Sequence, residues 1–247
     1  MLLAIDIGNT NINLGLFRGD ALSARFIIPT HSQDYKPCLR RIFKRHVISD
    51  AVICSVVPKA TKIMEEALIK LLGKKPYIIG NDIKVPIKNS CRKPRQVGQD
   101  RLVKSYAALV LYNAPLIIVS FGTAVTFDVV SKNKGFLGGM ILPGLGISLD
   151  ALSQKTALLP KIKLEAPGEL IGRDTKSNIL SGLIYGFAGL TDGLIIRIKE
   201  KIGKNAKTIG TGGDIGLIGK YCRKINKIDR DLILKGINLL YNIKKIS

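Results

Sequence analysis

Hydrophobic and polar positions near the start of the chain alternate in a pattern that predicts a β-hairpin. An apolar run over residues 2–5 leads to Asp6, and a short polar turn over residues 8–10 precedes a second, alternating run over residues 12–17. Two apolar strands joined by a tight polar turn are typical of paired antiparallel strands. We therefore predict a hairpin at the start of the chain, with the first candidate site in its turn.

The residue types in this turn suit an anionic ligand and its cation. Gly8 lets the backbone approach a ligand closely, and the side chains of Asn9 and Thr10 can donate hydrogen bonds to phosphate oxygens. Asp6 ends a buried strand, where a carboxylate needs a cation, most simply Mg²⁺ carried by a nucleotide. An ordinary hairpin with a polar turn explains the same residues, so this segment alone leaves both interpretations open.

A second segment, residues 115–130, repeats the order of apolar strand, small polar turn and alternating strand. The alignment superposes four pairs of residues: Asp6 with Ser120, Gly8 with Gly122, Asn9 with Thr123, and Asn13 with Phe127. Its offset is nearly half the chain, which predicts two similar domains rather than a solenoid. Two facing glycine-turn hairpins resemble the phosphate grip of the actin, hexokinase and Hsp70 superfamily, which is an analogy of fold.

The remaining pattern alternates strands with amphipathic helices, which is typical of α/β proteins. Strands are predicted over residues 50–57 and 77–79, before Pro143 and from Lys207, and helices over residues 36–46, 61–72, 175–202 and 229–243. A further helix begins at residues 98–101, and its predicted apolar stripe consists of Leu102, Tyr106, Leu109 and Val110.

The polar tetrapeptide of residues 98–101 stands at the start of that helix. Asp100 and Arg101 fall in its first turn, where the helix dipole favours a carboxylate and the unpaired amides suit anions. An aspartate at a helix start is also a common cap. Position alone favours the cap over a catalytic role.

Four glycines of the predicted long helix lie on one of its faces. They are spaced at intervals of four, three and four residues: Gly182, Gly186, Gly189 and Gly193. Glycine lowers helix stability, so close packing against another helix must compensate. A neighbour in the same chain and a seam between two subunits both satisfy this requirement.

Nucleotide-binding motifs of the commonest kinds are missing from the sequence. Residues 207–214 form a strand and a glycine turn, but Ile215 occupies the position of the third glycine of GxGxxG. No GxxxxGK[ST] segment occurs. The sequence therefore supports neither a Rossmann nor a P-loop interpretation.

Cysteine usage predicts a reducing cytoplasm. The four cysteines form no CxxC pair, and the two histidines suggest no metal cluster with them: Cys38, Cys54, Cys91, Cys222, His31 and His46. Asp6 interrupts the first apolar run before a signal peptide could form, and the apolar stretch 137–149 is too short to span a bilayer. We therefore predict a cytoplasmic protein with no membrane partner.

The formal net charge of +21, from 39 Lys and Arg against 18 Asp and Glu, raises the possibility of a nucleic-acid partner. The basic residues are, however, spread along the whole chain, and no zinc, RNP1 or bZIP pattern occurs. A solvated, lysine-rich surface explains the charge better, so we predict no nucleic-acid partner.

Eight short motifs occur in the order typical of one family. They are DIGNT at 6–10, GQDR at 98–101, FGTA at 121–124, GGMILPG at 138–144, TALLP at 156–160, IGRDT at 171–175, SG at 181–182 and TGGD at 211–214. The chain resembles the type III pantothenate kinases, also called the Bvg accessory factor family, over essentially its full length.

The resemblance implies an α/β, two-domain actin-like and Hsp70-like fold of the acetate and sugar kinase superfamily, in which a ribonuclease H-like unit is duplicated. It implies domains at residues 1–114 and 115–247, assembled in a homodimer. The implied reaction transfers a phosphoryl group from ATP to the 4′-hydroxyl of pantothenate, the first step of coenzyme A synthesis. The implied cofactors are Mg²⁺ and a monovalent cation, potassium or ammonium.

The resemblance also implies roles for individual residues. The ATP phosphates and Mg²⁺ would be held by Asp6, Ile7, Gly8, Asn9, Thr10, Asn11, Ile12 and Asn13, and Thr123 of the second hairpin would also contact ATP. Pantothenate would be bound by Gly98, Gln99, Asp100 and Arg101, with Thr175 contributed by the partner subunit. Within these sets Asp100 would be the general base, Arg101 would bind the substrate carboxylate, and Asp6 would hold Mg²⁺ through ATP.

Two positions depart from the family pattern. Ser120 stands where the family has an aspartate that binds the monovalent cation, and a hydroxyl brings no charge, so we predict weakened or absent K⁺ activation. Cys91 aligns with a substrate-contacting tyrosine, and loss of one hydrogen bond costs about 0.5–1.5 kcal/mol, which predicts a weakened kinase. Both departures leave two alternatives: a non-catalytic relative that binds ATP or pantothenate, and a kinase for another hydroxylated acid.

Overall fold

Each half of the chain builds one five-stranded sheet in this computed structural model, which describes residues 1–32, 35–133 and 135–246. The first sheet contains β1 (Leu2–Ile7), β2 (Asn11–Arg18), β3 (Ala21–Pro29), β4 (Asp50–Ser55) and β5 (Tyr77–Ile78). Its order is β3-β2-β1-β4-β5, with β1, β2 and β3 antiparallel and β1, β4 and β5 parallel. The predicted hairpin is therefore confirmed as β1 and β2.

Helices cover both faces of the first sheet. Successive residues of β1 point to opposite faces, and because these residues are apolar, both faces are buried. The helices that pack around this sheet are α1 (Lys36–Arg45), α2 (Pro58–Leu72), α3 (Gln99–Tyr112) and α7 (Leu232–Ile246). Leu3 and Ile5 share a buried cluster with residues of α1 and α2, whereas Leu2 and Ala4 share one with residues of α3 and α7. Gly236 of α7 permits close packing, since a β-carbon there would lie 2.7 Å from Val103.

The second sheet contains β6 (Leu116–Phe121), β7 (Ala124–Ser131), β8 (Gly135–Pro143), β9 (Lys207–Thr211) and β10 (Lys227–Ile228). Its order, β10-β9-β6-β7-β8, and its strand directions repeat those of the first sheet. The associated helices are α4 (Leu145–Lys155), α5 (Thr175–Ile202) and the short α6 (Ile215–Ile218). The predicted internal repeat is therefore confirmed.

One residue pair of the sequence alignment is wrong. Ser120 pairs across the strands with Thr126, whereas Asp6 pairs with Asn13. The second turn is one residue shorter than the first, so the alignment slips by one position after the glycine. Phe127, which the sequence equated with Asn13, is instead a fully buried core residue.

Packing contacts divide the chain into two units. Unit 1 comprises Met1–Ile87, Lys93–Ala107 and Leu232–Ser247, and unit 2 comprises Lys88–Arg92 and Ala108–Asp231. These bounds differ from the expected 1–114 and 115–247 chiefly because α7 packs on strands β1, β2 and β4. Residues 88–92 belong to unit 2 because their backbone pairs with Phe136.

The buried side of α3 also differs from its predicted apolar stripe. Val110 is 46% exposed, whereas Val103, Lys104 and Ala107 are buried. The small side chains Val103 and Ala107 face Gly236 of α7, so helix packing buries them.

Helix α5 has the bounds that the sequence predicts, and by length and composition it could cross a membrane. Of its most apolar 18-residue window, 44% is buried in the structure, and Ile184, Ala188 and Ile195 belong to the core of unit 2. A core helix of this kind passes the same test, so α5 is weak evidence for a membrane span.

Candidate functional site

The turn between β1 and β2 is closed by its own backbone and supported by Thr30, the residue after β3. The Gly8 amide donates to the Asn11 carbonyl at 3.0 Å, and the amide of Thr30 donates to the Thr10 carbonyl at 2.9 Å. The Thr30 hydroxyl donates to the Gly8 carbonyl at 2.7 Å. The hydroxyl of Tyr35 in turn donates to the Thr30 carbonyl. Thr30 and Tyr35 therefore hold the turn in place.

Side chains around this turn differ in what they can offer a ligand. Asn9, Thr10 and Asn11 are exposed, so their polar groups are accessible. Ile7 and Ile12 are fully buried in the core of unit 1. These two predicted binding residues can therefore reach a ligand only through their backbone.

Asp6 sits at the end of β1 and pairs with Asn13 across the hairpin. The Asn13 side-chain amide donates to Oδ2 of Asp6 at 3.1 Å. Burial raises the pKa of Asp6 from 3.8 to about 6, and the negative charge of Asp100 adds to the rise, while Lys104 and Asn13 oppose it. A bound cation would offset this cost, so the site fits the Mg²⁺ of a nucleotide.

Asp100 lies in the first turn of α3, and both of its carboxylate oxygens have defined surroundings. Oδ2 accepts a hydrogen bond from the Lys104 ammonium at 3.1 Å. Oδ1 lies over Gly98, where an added β-carbon would be 2.6 Å away. Asp100 is thus held by an ion pair within unit 1, and we name Asp6, Asn13, Asp100 and Lys104 the carboxylate cluster.

Cys54 borders the carboxylate cluster from β4, where it pairs with Asp6 in the parallel register. Burial, together with the charges of Asp6 and Asp100, raises the pKa of the Cys54 thiol well above its ordinary value. The thiol is therefore protonated and unreactive at neutral pH.

The neighbours of Asp100 in the GQDR motif belong to the same turn. The Gln99 side chain covers Gly80, whose φ of +96° is a conformation that favours glycine. Arg101 is half-buried, and its amide donates to the Gly98 carbonyl at 3.1 Å. All four predicted residues of this motif therefore lie in unit 1 with Asp6.

The second hairpin and Thr175 belong to unit 2. Ser120 is buried and lies beside Thr126 and Thr211 on the neighbouring strands. Thr123 is exposed in the turn, and its carbonyl accepts from the Gly144 amide at 3.0 Å. Thr175 is exposed at the start of α5, directly after the Asp174 cap, which accepts from the Ser177 amide at 2.9 Å.

Cys91 is half-buried in the segment that pairs with β8, and its amide donates to the Asn89 side chain at 3.1 Å. A β-carbon at Gly138 would lie 3.5 Å from the Cys91 sulfur.

Among the described residues no group of three or more His, Cys, Asp or Glu side chains could hold a metal ion. Two carboxylates with one lysine fit a cation that arrives with its own phosphate ligands.

Two residues of this region were missed by the sequence-based prediction. Neither Lys104 nor Thr30 is among the site residues that the sequence predicts. The i,i+4 spacing of Asp100 and Lys104 could have indicated their contact. No local signal indicates that Thr30 supports the turn.

Replacement of Gly98 by Ala is expected to displace the Asp100 carboxylate. The new methyl group would occupy the space of Oδ1, and a flexible side chain yields more readily than the backbone. We expect a shifted carboxylate in a crystal structure, with a melting temperature within a few degrees of the wild type. Gly146→Ala, in open space on α4, is the matched control, and an unmoved Asp100 carboxylate in Gly98→Ala would contradict the prediction.

Solved structures share the fold at low sequence identity. A Baf family protein from Campylobacter jejuni aligns with a TM-score of 0.63 and 19% identity, covering 99% of this chain and all of the other. Component A of (R)-2-hydroxyglutaryl-CoA dehydratase from Acidaminococcus fermentans aligns with a TM-score of 0.52 and 12% identity, covering 99% and 98%. The predicted class, a duplicated α/β fold of the actin-like and sugar-kinase kind, is confirmed.

Comparison with sequence relatives identifies the family, whereas the fold identifies only a broad class. The family model described as type III pantothenate kinase matches residues 2–197. Relatives named type III pantothenate kinase come from Moorella thermoacetica, at 40% identity over 98% of both chains, and Agathobacter rectalis, at 39% over 98% of this chain and 96% of the other. The chain belongs to the type III pantothenate kinase family.

Proposed function

We propose that this protein transfers the γ-phosphoryl group of ATP to the 4′-hydroxyl of pantothenate, the first step of coenzyme A synthesis. Family membership supports the reaction. The observation that carries the proposal is the carboxylate cluster of unit 1. There the negative charge of Asp100 raises the pKa of Asp6, so the candidate base and the candidate cation ligand share one electrostatic environment.

Asp100 is the proposed general base. An alcohol is a poor nucleophile, and a carboxylate within hydrogen-bond reach can take its proton as the oxygen–phosphorus bond forms. Such help is typically worth about 10²–10⁴-fold in rate. The rest of the acceleration comes from positioning and from neutralising the charge of the transferred phosphoryl group.

The first turn is the proposed binding site for the phosphates. Its exposed side chains, Asn9, Thr10 and Asn11, supply hydrogen-bond donors. Asp6 would hold Mg²⁺, which neutralises phosphate charge when bound. We also propose that Thr123 contacts ATP. Pantothenate would be contacted by Gln99, Arg101 and the partner subunit's Thr175.

Ser120 occupies the position expected to bind the monovalent cation. The buried hydroxyl of Ser120 can donate a lone pair to K⁺ but supplies no negative charge. We propose that activation by K⁺ or NH₄⁺ is weak or absent in this protein.

An ADP-release assay coupled to a reporter enzyme tests both statements. Purified protein with ATP, Mg²⁺ and pantothenate should release ADP, and omission of pantothenate should abolish the release. KCl is titrated at constant ionic strength, and the rate should change little. ADP release without dependence on pantothenate would reject the substrate, and a steep K⁺ requirement at low millimolar concentration would reject the assignment of Ser120.

The alternative of a non-catalytic relative is not favoured. Asp6, Asp100 and Arg101 are all present, and identity to the named kinases is near 40% over nearly the full chain. A dimer that binds ATP or pantothenate but releases no ADP would restore that alternative.

Homodimerisation through α5 is proposed from its glycine face. Gly182, Gly186, Gly189 and Gly193 line this face. Apart from the adjacent residues and backbone of α5 itself, no described heavy atom lies within 4 Å of a β-carbon built on any of them. A packing neighbour within the described chain is therefore not found there. A second copy of the helix would supply the close contact that these glycines permit.

Replacing Gly186 by Glu is expected to convert the dimer to a monomer, because the charged side chain would be buried in the seam. Sedimentation velocity at micromolar protein concentration measures the change. Gly168→Glu, which also points into open space but lies outside α5, should leave the dimer intact. A monomeric wild type, or a dimer that tolerates Gly186→Glu, would contradict this assignment.

We also propose a cytoplasmic location without a nucleic-acid or membrane partner. The scattered positive charge and the burial of one side of α5 in unit 2 support this view.

A further inference from the structure

Lys104 is a buried lysine to which the proposed reaction assigns no role. It lies on α3, one turn after Asp100, and is only 8% exposed. Lysine is almost never buried unless its ammonium is paired, because removal of the charge from water is costly. The neighbouring positions Val103 and Ala107 carry small apolar side chains, so the packing around Lys104 does not itself require a charge.

The contacts of Lys104 are directed at the carboxylate cluster. Its Nζ donates to Oδ2 of Asp100 at 3.1 Å, and the lysine side chain is more deeply buried than its partner, at 10% against 28% exposure. The lysine charge also acts on Asp6, whose pKa it lowers. The ammonium is therefore paired with Asp100, and its charge also favours the ionised form of Asp6.

Stability alone gives a poor account of this lysine. Replacement of a buried ion pair by apolar groups of similar volume is often neutral or stabilising, because the cost of desolvation disappears. A methionine at position 104 together with a neutral side chain at position 100 would fill nearly the same volume without that cost. The charge is therefore better explained by what it does to Asp100.

We infer that Lys104 is a positioning residue that fixes the Asp100 carboxylate for proton transfer. The inference rests on the proposed function. With Oδ2 engaged by the ammonium and Oδ1 over Gly98, the carboxylate is held against rotation. Oδ1 then accepts the proton of the alcohol while the new oxygen–phosphorus bond forms and the bond from the γ-phosphorus to the bridging oxygen of ADP breaks.

Kinetics of Lys104→Met provide the central test. At saturating ATP and Mg²⁺ we expect kcat with pantothenate to fall about 10- to 100-fold, since a charge-assisted hydrogen bond is lost. The KM for ATP should stay within about twofold, and the melting temperature should fall, because Asp100 and Asp6 lose a nearby positive charge. Lys104→Arg should recover part of kcat, and Lys70→Met, which removes an exposed lysine of α2, should match the wild type.

The outcomes separate this inference from the proposed function. If the wild type turns over pantothenate and Lys104→Met keeps kcat within twofold, the inference is wrong. If the wild type releases no ADP, the proposed function fails, and a crystal structure of Lys104→Met decides the positioning role. An Asp100 carboxylate that leaves its place over Gly98 would support the role, and one that stays would overturn it. Should Lys104→Met not fold, Lys104→Gln serves the same comparison.

Discussion

Replacing Asp100 by Asn is expected to reduce kcat about 10²–10⁴-fold while the protein stays folded and still binds nucleotide. The amide keeps the shape of the carboxylate but cannot accept the proton of the alcohol. Steady-state ADP release gives kcat, and a fluorescent ATP analogue gives the nucleotide affinity. Because the variant leaves the buried Lys104 ammonium without its carboxylate, the melting temperature should also fall, and turnover is compared at a temperature where both proteins are folded.

Glu66→Gln is the matched control for this variant, since it removes an exposed carboxylate of α2. It should retain wild-type kcat. An Asp100→Asn enzyme with wild-type kcat would show that another group takes the proton. A variant that also lost nucleotide binding would point to a structural role instead.

Replacing Asp6 by Asn is expected to have two opposite effects, a loss of turnover and a gain in stability at neutral pH. A rise in the Asp6 pKa from 3.8 to about 6 corresponds to about 3 kcal/mol of unfavourable free energy for the ionised form in the folded protein. The folded state binds the extra proton between these values, so wild-type stability falls as pH rises from about 4 to above 6. The asparagine side chain carries no charge and avoids this loss.

Urea unfolding in EDTA without nucleotide measures this effect. The unfolding midpoints of wild type and Asp6→Asn should coincide near pH 4 and diverge up to pH 7, with the variant more resistant. Addition of Mg²⁺ and ATP should stabilise the wild type and leave the variant nearly unchanged. Midpoints that do not diverge with pH would contradict the burial cost assigned to Asp6.

Strong periodicity made much of the fold predictable from sequence. The bounds of α5 agree because Asp174 caps its start and glycine follows its end. The final helix was expected at Asp229 but starts at Leu232. The Asp229 amide instead donates to the Gly210 carbonyl, and its carboxylate accepts from Tyr112 at 2.6 Å. Long-range contacts of this kind leave no local pattern.

The candidate site was predictable only in part. Asp6 and Asp100 stood out because each is a carboxylate at the end or start of a regular element. Their shared environment depends on how α3 packs in unit 1, which hydrophobic spacing does not specify. Lys104 illustrates the limit, because a lysine in a helix is normally assigned to the surface, and only tertiary packing makes it buried.

The return of α7 to the first sheet has a consequence for biosynthesis. Strands β1, β2 and β4 leave the ribosome early, but the helix that covers one of their faces contains residues 232–246. Until those residues emerge, Leu2, Ala4 and Phe17 lack part of their apolar cover. The nascent chain therefore carries a partly uncovered hydrophobic sheet face until the end of translation, and exposed apolar surface of this kind favours aggregation and chaperone binding.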